Sequence, residues 1–131
     1  MKKLLTTLLL TFFSINAVAG WTEFGGSSSD GSVKIYYDKV TTRNHDHVAR
    51  IWRIKDYMKP QASNNTTYLS EKSLLEVNCK TKMRRTMAYT LYKQNMGGGE
   101  SVLKNSNPAE WEYIAPDITG EAARRLYCGK E

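Results

Sequence analysis

Ser73-Leu74-Leu75-Glu76-Val77-Asn78-Cys79-Lys80-Thr81-Lys82-Met83-Arg84-Arg85-Thr86-Met87-Ala88-Tyr89-Thr90-Leu91-Tyr92 is the stretch on which the fold turns. Side chains of a strand alternate between faces, so Leu75, Val77 and Cys79 share one face and Glu76 and Asn78 the other. In the second half, Met87, Tyr89 and Leu91 are expected on one face, opposite Thr86, Ala88 and Thr90. Lys80-Thr81-Lys82 between the halves is too charged to bury. The stretch therefore reads as an antiparallel hairpin with a basic turn.

Cys79 extends that hairpin to the far end of the chain, because the only other cysteine is Cys128. The N-terminus supplies the reason to expect a disulfide. Met1-Lys2-Lys3 is a positive leader, residues 4–13 are apolar, and Ala17-Val18-Ala19 is a small-x-small cleavage pattern. Residues 1–19 are thus expected to be a cleaved export signal, leaving a single domain over 20–131. The apolar run is too short for a comfortable membrane span, and no later stretch is apolar enough to be one. Two cysteines in an oxidising compartment argue for one bridge, Cys79–Cys128. The chain-entropy model gives such a loop about 4 kcal/mol as an upper figure. A domain of this size has a modest core, so a covalent tie matters.

The net charge is +6, and loss of Lys2 and Lys3 with the signal takes it to +4. Acidic residues are interspersed with the basic ones, so the charge singles out no specific nucleic acid.

Outward from the hairpin, the other segments also read mostly as strands. Residues 21–24 and 32–37 alternate, and 48–57 carries apolar residues on both faces, as a central strand does. Short strands are expected at 101–103 and 111–114, and polar loops at 25–31, 38–46, 59–67 and 105–108. After Pro116 the period changes. Residues 119–127 read as a helix, with Asp117 or Thr119 as cap, Glu121 in the first turn and Arg124 and Arg125 in the last. Ala122 and Leu126 form its apolar pair, and Gly129 suits the terminating position. The expected architecture is α+β: a twisted, half-barrel-like antiparallel sheet of five or six strands, with one C-terminal helix tied on by the disulfide.

An ordered set of residues carries a resemblance. It comprises Trp21 after the signal, Tyr36-Tyr37-Asp38, Val48, Trp52 and Asp56-Tyr57, then Ser70, Glu76-Val77-Asn78-Cys79 and Arg84-Arg85. Tyr92 with Met96-Gly97-Gly98-Gly99, Trp111 with Pro116, and Cys128 complete it. Over 21–128 the chain resembles the bacterial surface-adhesin protein E family. The resemblance implies an exported, non-enzymatic domain without a cofactor, adhering to host cells or extracellular-matrix proteins or serving another envelope role. The partner it implies is a macromolecule, a protein of the host matrix or the envelope. The signal has no lipid-accepting Cys before its cut site, so a periplasmic or secreted location is expected, with surface display left open.

Candidate chemistry is sparse. His45-Asp46-His47 would put two imidazoles on one face of a strand, suiting a metal or haem iron. A His pair also serves acid–base work in small secreted nucleases. These two residues carry the alternative reading, a small hydrolase or a metal- or haem-binding protein, but no third ligand is evident. Gly97-Gly98-Gly99 lacks the Lys-Ser/Thr of a phosphate loop, and no strained elbow surrounds Ser27-Ser28-Ser29. The abundant Tyr and Trp residues are first of all packing groups. Where they lie beside Arg50, Arg53, Arg84, Arg85, Lys80 and Lys82, they would make a partner-binding face, since Tyr, Trp and Arg dominate interface hot spots.

Overall fold

Alternating apolar and polar residues over most of the chain produce an antiparallel meander in the computed structural model, which describes residues 20–24, 30–116 and 118–129. Within these, the side chains of 39–45 and 118–119 are not described. The expected signal at 1–19, the loop serines Ser27, Ser28 and Ser29, the capping residue Asp117 and the side chain of Thr119 lie outside the described residues.

The strands are β1 (Trp21–Phe24), β2 (Val33–His45), β3 (Val48–Ser63), β4 (Thr66–Asn78), β5 (Met83–Tyr92) and β6 (Ser101–Asn105), paired in sequence order. A two-residue β7 (Glu112–Tyr113) pairs with the start of β5. The sheet is open, and α1 (Ile118–Cys128) closes the chain.

Two expected loops are strand instead. β2 continues through the polar 38–45 segment to a two-residue turn, Asp46-His47, at φ 48° and 64°. β3 continues through Pro60 to a second such turn, Asn64-Asn65, at φ 45° and 62°. Two successive left-handed residues twist the chain as the flanking strands require, so each hairpin closes in two residues. Pro60 is tolerated because the pairing of β3 with β4 is interrupted between Asp56 and Gln61, where its missing N–H costs no ladder bond. The polar composition of both stretches concealed long strands.

The defining hairpin forms as expected, with one correction. Leu74 pairs with Ala88 but Leu75 pairs with Thr86, leaving Met87 as an extra residue on β5. That β-bulge breaks the alternation, so Thr86 and Ala88 lie on opposite faces rather than together. The turn at 79–82 is held by the Asn78 carboxamide, whose Oδ1 accepts the backbone N–H of Lys80 and Thr81 at 3.1 and 3.0 Å.

One face of the sheet carries the core: Tyr37, Ala49, Ile51, Leu75 and Val77, all nearly inaccessible, packed against Ala123 and Tyr127 of α1. Phe24 and Tyr127 meet the Tyr37 ring edge-on at 5.4 and 5.2 Å. The buried stripe of α1 is thus Ala123–Tyr127, not the expected Ala122–Leu126. Leu126 flanks it, partly buried. The Cys79–Cys128 bridge, with Cα atoms 5.7 Å apart, fixes the helix end to the end of β4. The Gly129 N–H reaches the Arg125 carbonyl at 2.9 Å with φ 79°, the expected left-handed stop. The expected 111–114 strand shortens to β7, paired as Met83–Tyr113 and Arg84–Glu112.

Candidate functional site

Residues directly opposite one another on neighbouring strands project from the same face. The register therefore assembles the helix-free face row by row. One row is Arg50, Glu76 and Arg85 on β3, β4 and β5. A second runs Trp21, Asp38, Trp52, Leu74 and Ala88, and a third Glu23, Tyr36, Ile54, Lys72, Thr90 and Lys104.

In the first row Glu76 is buried, its side chain 5% exposed, and holds both arginines. Arg50 Nε donates to Oε2 at 2.8 Å, while Arg85 Nε and a terminal nitrogen donate to Oε1 at 2.9 and 2.7 Å. Burial would raise the Glu76 pKa, but these hydrogen bonds and the two positive charges outweigh it, and the carboxyl titrates below its ordinary value. Arg85 also lies over the Trp111 ring, 4.5 Å from the centroid. Both guanidinium groups are thus held in place from below, while the Arg50 side chain stays 56% exposed.

The neighbouring rows build a second cluster. Lys72 Nζ sits over two indoles, 5.6 Å from the Trp21 centroid and 5.4 Å from that of Trp52. Beside it runs a groove of about 230 Å³. Its lining includes Trp52, Lys72, Thr90, Tyr92, Lys104 and Asn105. The 94–99 loop is tethered alongside. Asp56 accepts the Asn95 side chain and the Met96 N–H at 3.0 and 2.8 Å, and Ser70 Oγ donates to the Gln94 carbonyl at 2.6 Å.

The residues singled out from sequence separate into groups. Arg50 and Arg85 meet on the helix-free face. Lys80 and Lys82 are exposed in the β4–β5 turn, two residue pairs beyond Arg85. Arg84 projects from the opposite face and donates to Glu112 at 3.0 Å. Arg53 is also on the core-side face, 11% exposed and 3.5 Å from Glu71, and belongs to no common patch with Arg50. The His45 side chain is not described. His47 is exposed in its turn, where its carbonyl accepts the Cys79 N–H at 2.8 Å. Among the described residues no three His, Cys, Asp or Glu side chains come together as a metal site. Sequence reading missed the buried role of Glu76 and the Trp21–Lys72–Trp52 stack. Both depend on register, and the signal for Glu76 was its position opposite arginines on two flanking strands.

The family model for "Surface-adhesin protein E" matches residues 21–129. Three solved structures of Haemophilus influenzae protein E share the fold. The selenomethionine form is 13% identical with a TM-score of 0.63, covering 84% of this chain and 86% of that one. A second structure is 14% identical with a TM-score of 0.62 and 84% coverage of each chain. Crystal form II is 12% identical with a TM-score of 0.58, covering 82% of this chain and 95% of that one. No curated protein matches the chain in sequence. The family model spans nearly the whole of the described sheet and helix: the chain belongs to the surface-adhesin protein E family.

Proposed function

We propose that this chain is an exported, non-enzymatic adhesin that docks on a host-matrix or envelope protein. The docking surface would be the helix-free sheet face around Arg50 and Arg85 and the adjoining Lys80–Lys82 turn. One observation carries the reading: Glu76 and Trp111 hold two arginines in fixed positions at an accessible surface. A guanidinium immobilised in the free protein loses little further entropy on binding, and Arg and Trp are the residues on which interface energy concentrates. A family of surface adhesins supports a macromolecular partner of this kind. Among the described residues no helix is long and apolar enough to cross a membrane.

The test is binding of the mature protein to immobilised extracellular-matrix proteins and to envelope extract. Saturable binding that falls at least tenfold in Arg50→Ala, with the fold unchanged, is expected. Equal binding by Arg50→Ala and by a Lys80→Ala/Lys82→Ala variant would remove the surface from consideration. Fractionation of tagged cells, with protease shaving of intact ones, distinguishes periplasmic protein from displayed or released protein.

A further inference from the structure

The groove beside Lys72 is not used by the docking surface just described, and its chemistry points elsewhere. Lys72 and Lys104 supply two positive charges to its lining, and no carboxylate joins them there. Among the described residues neither lysine has an acidic partner within ion-pair distance, whereas Arg50, Arg53, Arg84, Arg85 and Lys93 all do. The occupant that complements this lining is therefore an anion.

Its size and walls narrow the choice. About 230 Å³ is below the roughly 300–1,000 Å³ that holds a drug-sized ligand, so the fit is to one compact unit. Trp52 and Tyr92 contribute aromatic rings, which bury a flat apolar surface while leaving polar edges wet. Thr90 adds a hydroxyl able to bond a ligand hydroxyl, while the Asn105 Oδ1 already accepts the Asn107 N–H at 2.8 Å. An acidic side chain of a peptide would satisfy the lysines and leave the rings and the Thr90 hydroxyl unused.

We infer that this groove is a binding site for a single carboxylated sugar unit, a hexuronate of an acidic glycan. The ring's C–H face lies on Trp52 and Tyr92, and its carboxylate is paired by Lys72 and Lys104. Lys72 is preorganised for this between the two indoles, and exposed Lys104 closes from the sheet edge.

The test is a titration of the mature protein with sodium glucuronate, glucose and sodium glutamate, followed by amide and indole NMR shifts. Glucuronate is expected to give saturable shifts at Trp52, Lys72, Thr90 and Asn105, with both comparison ligands at least tenfold weaker. Lys104→Gln should weaken glucuronate at least tenfold and leave the remaining spectrum and matrix-protein binding intact. Lys104 is exposed, so that variant keeps the test interpretable even if Lys72→Gln loses its fold. Absence of saturation, equal binding of glucose or of glutamate, or shifts confined to Lys80–Arg85 would each overturn the assignment. Loss of matrix-protein binding in Arg50→Ala tests the other surface and leaves this result unaffected.

Discussion

Replacing Glu76 by Gln removes one negative charge from beneath two arginines. The carboxylate accepts three hydrogen bonds from charged donors, each contributing about 1.5–3 kcal/mol in a favourable case. The full sum does not apply. Glutamine keeps one acceptor oxygen, and Arg50 and Arg85, with side chains 56% and 27% exposed, regain water when released. Breaking a fully buried pair costs about 3–5 kcal/mol, and the partial exposure here brings the expected loss to about 2 kcal/mol. For a domain of this size that is a fall in Tm of ~8 °C at pH 7. The loss must depend on pH in one direction. The folded-state pKa of Glu76 lies below its ordinary 4.5, so its stabilisation is fully present above that value. It disappears as pH falls through the folded pKa, and the two proteins should converge in acid. Urea denaturation of both at neutral pH and at successively lower pH measures this. A penalty under about 0.5 kcal/mol at pH 7, within the range of ordinary surface substitutions, refutes the reasoning. So does a penalty that is unchanged in acid. An Arg85→Ala/Glu76→Gln double-mutant cycle then reports the coupling itself.

Three further outcomes are expected. Reducing Cys79–Cys128, which spans 49 residues, should lower stability by up to about 4 kcal/mol and free α1, exposing the chain near Leu126 to protease; unchanged cleavage there would contradict the clamp. His47→Gly relieves a side chain from φ 64° and should raise stability by about 0.5–1 kcal/mol in thermal unfolding. A decrease would mean that His47 makes a contact worth more than the strain. Glu121, hydrogen-bonded by Arg124 and Arg125, should titrate at about 2 in carboxyl-carbon NMR. Its support for α1 then holds above the unfolded 4.5 and is lost as pH falls toward 2, and a midpoint near 4.5 would exclude those bonds.

Local pattern reached far into this fold. Period-two alternation located the hairpin, the paired cysteines tied its end to the helix, and Gly129 marked the stop. All three are rules between residues near in sequence or unique in type, so they can be read without coordinates. The misreadings came where polar residues served strands: the end of β2 and the turn into β4 had loop composition, and only left-handed Asp46-His47 and Asn64-Asn65 joined them into hairpins.

The surface was another matter. Composition offered six basic residues as one partner-binding face, but alternation along β3 already turns Arg53 away from Arg50, and the Met87 bulge and the strand register placed Arg85, not Arg84, with Arg50. The burial of Glu76 between two arginines, and the seating of the Lys72 ammonium over two indoles, required strands far apart in the chain to arrive in one register. A strand's own sequence fixes which residues alternate. Which of them meet across the sheet depends on bulges and turns that shift the pairing by single residues, and that is decided only when the whole sheet has formed.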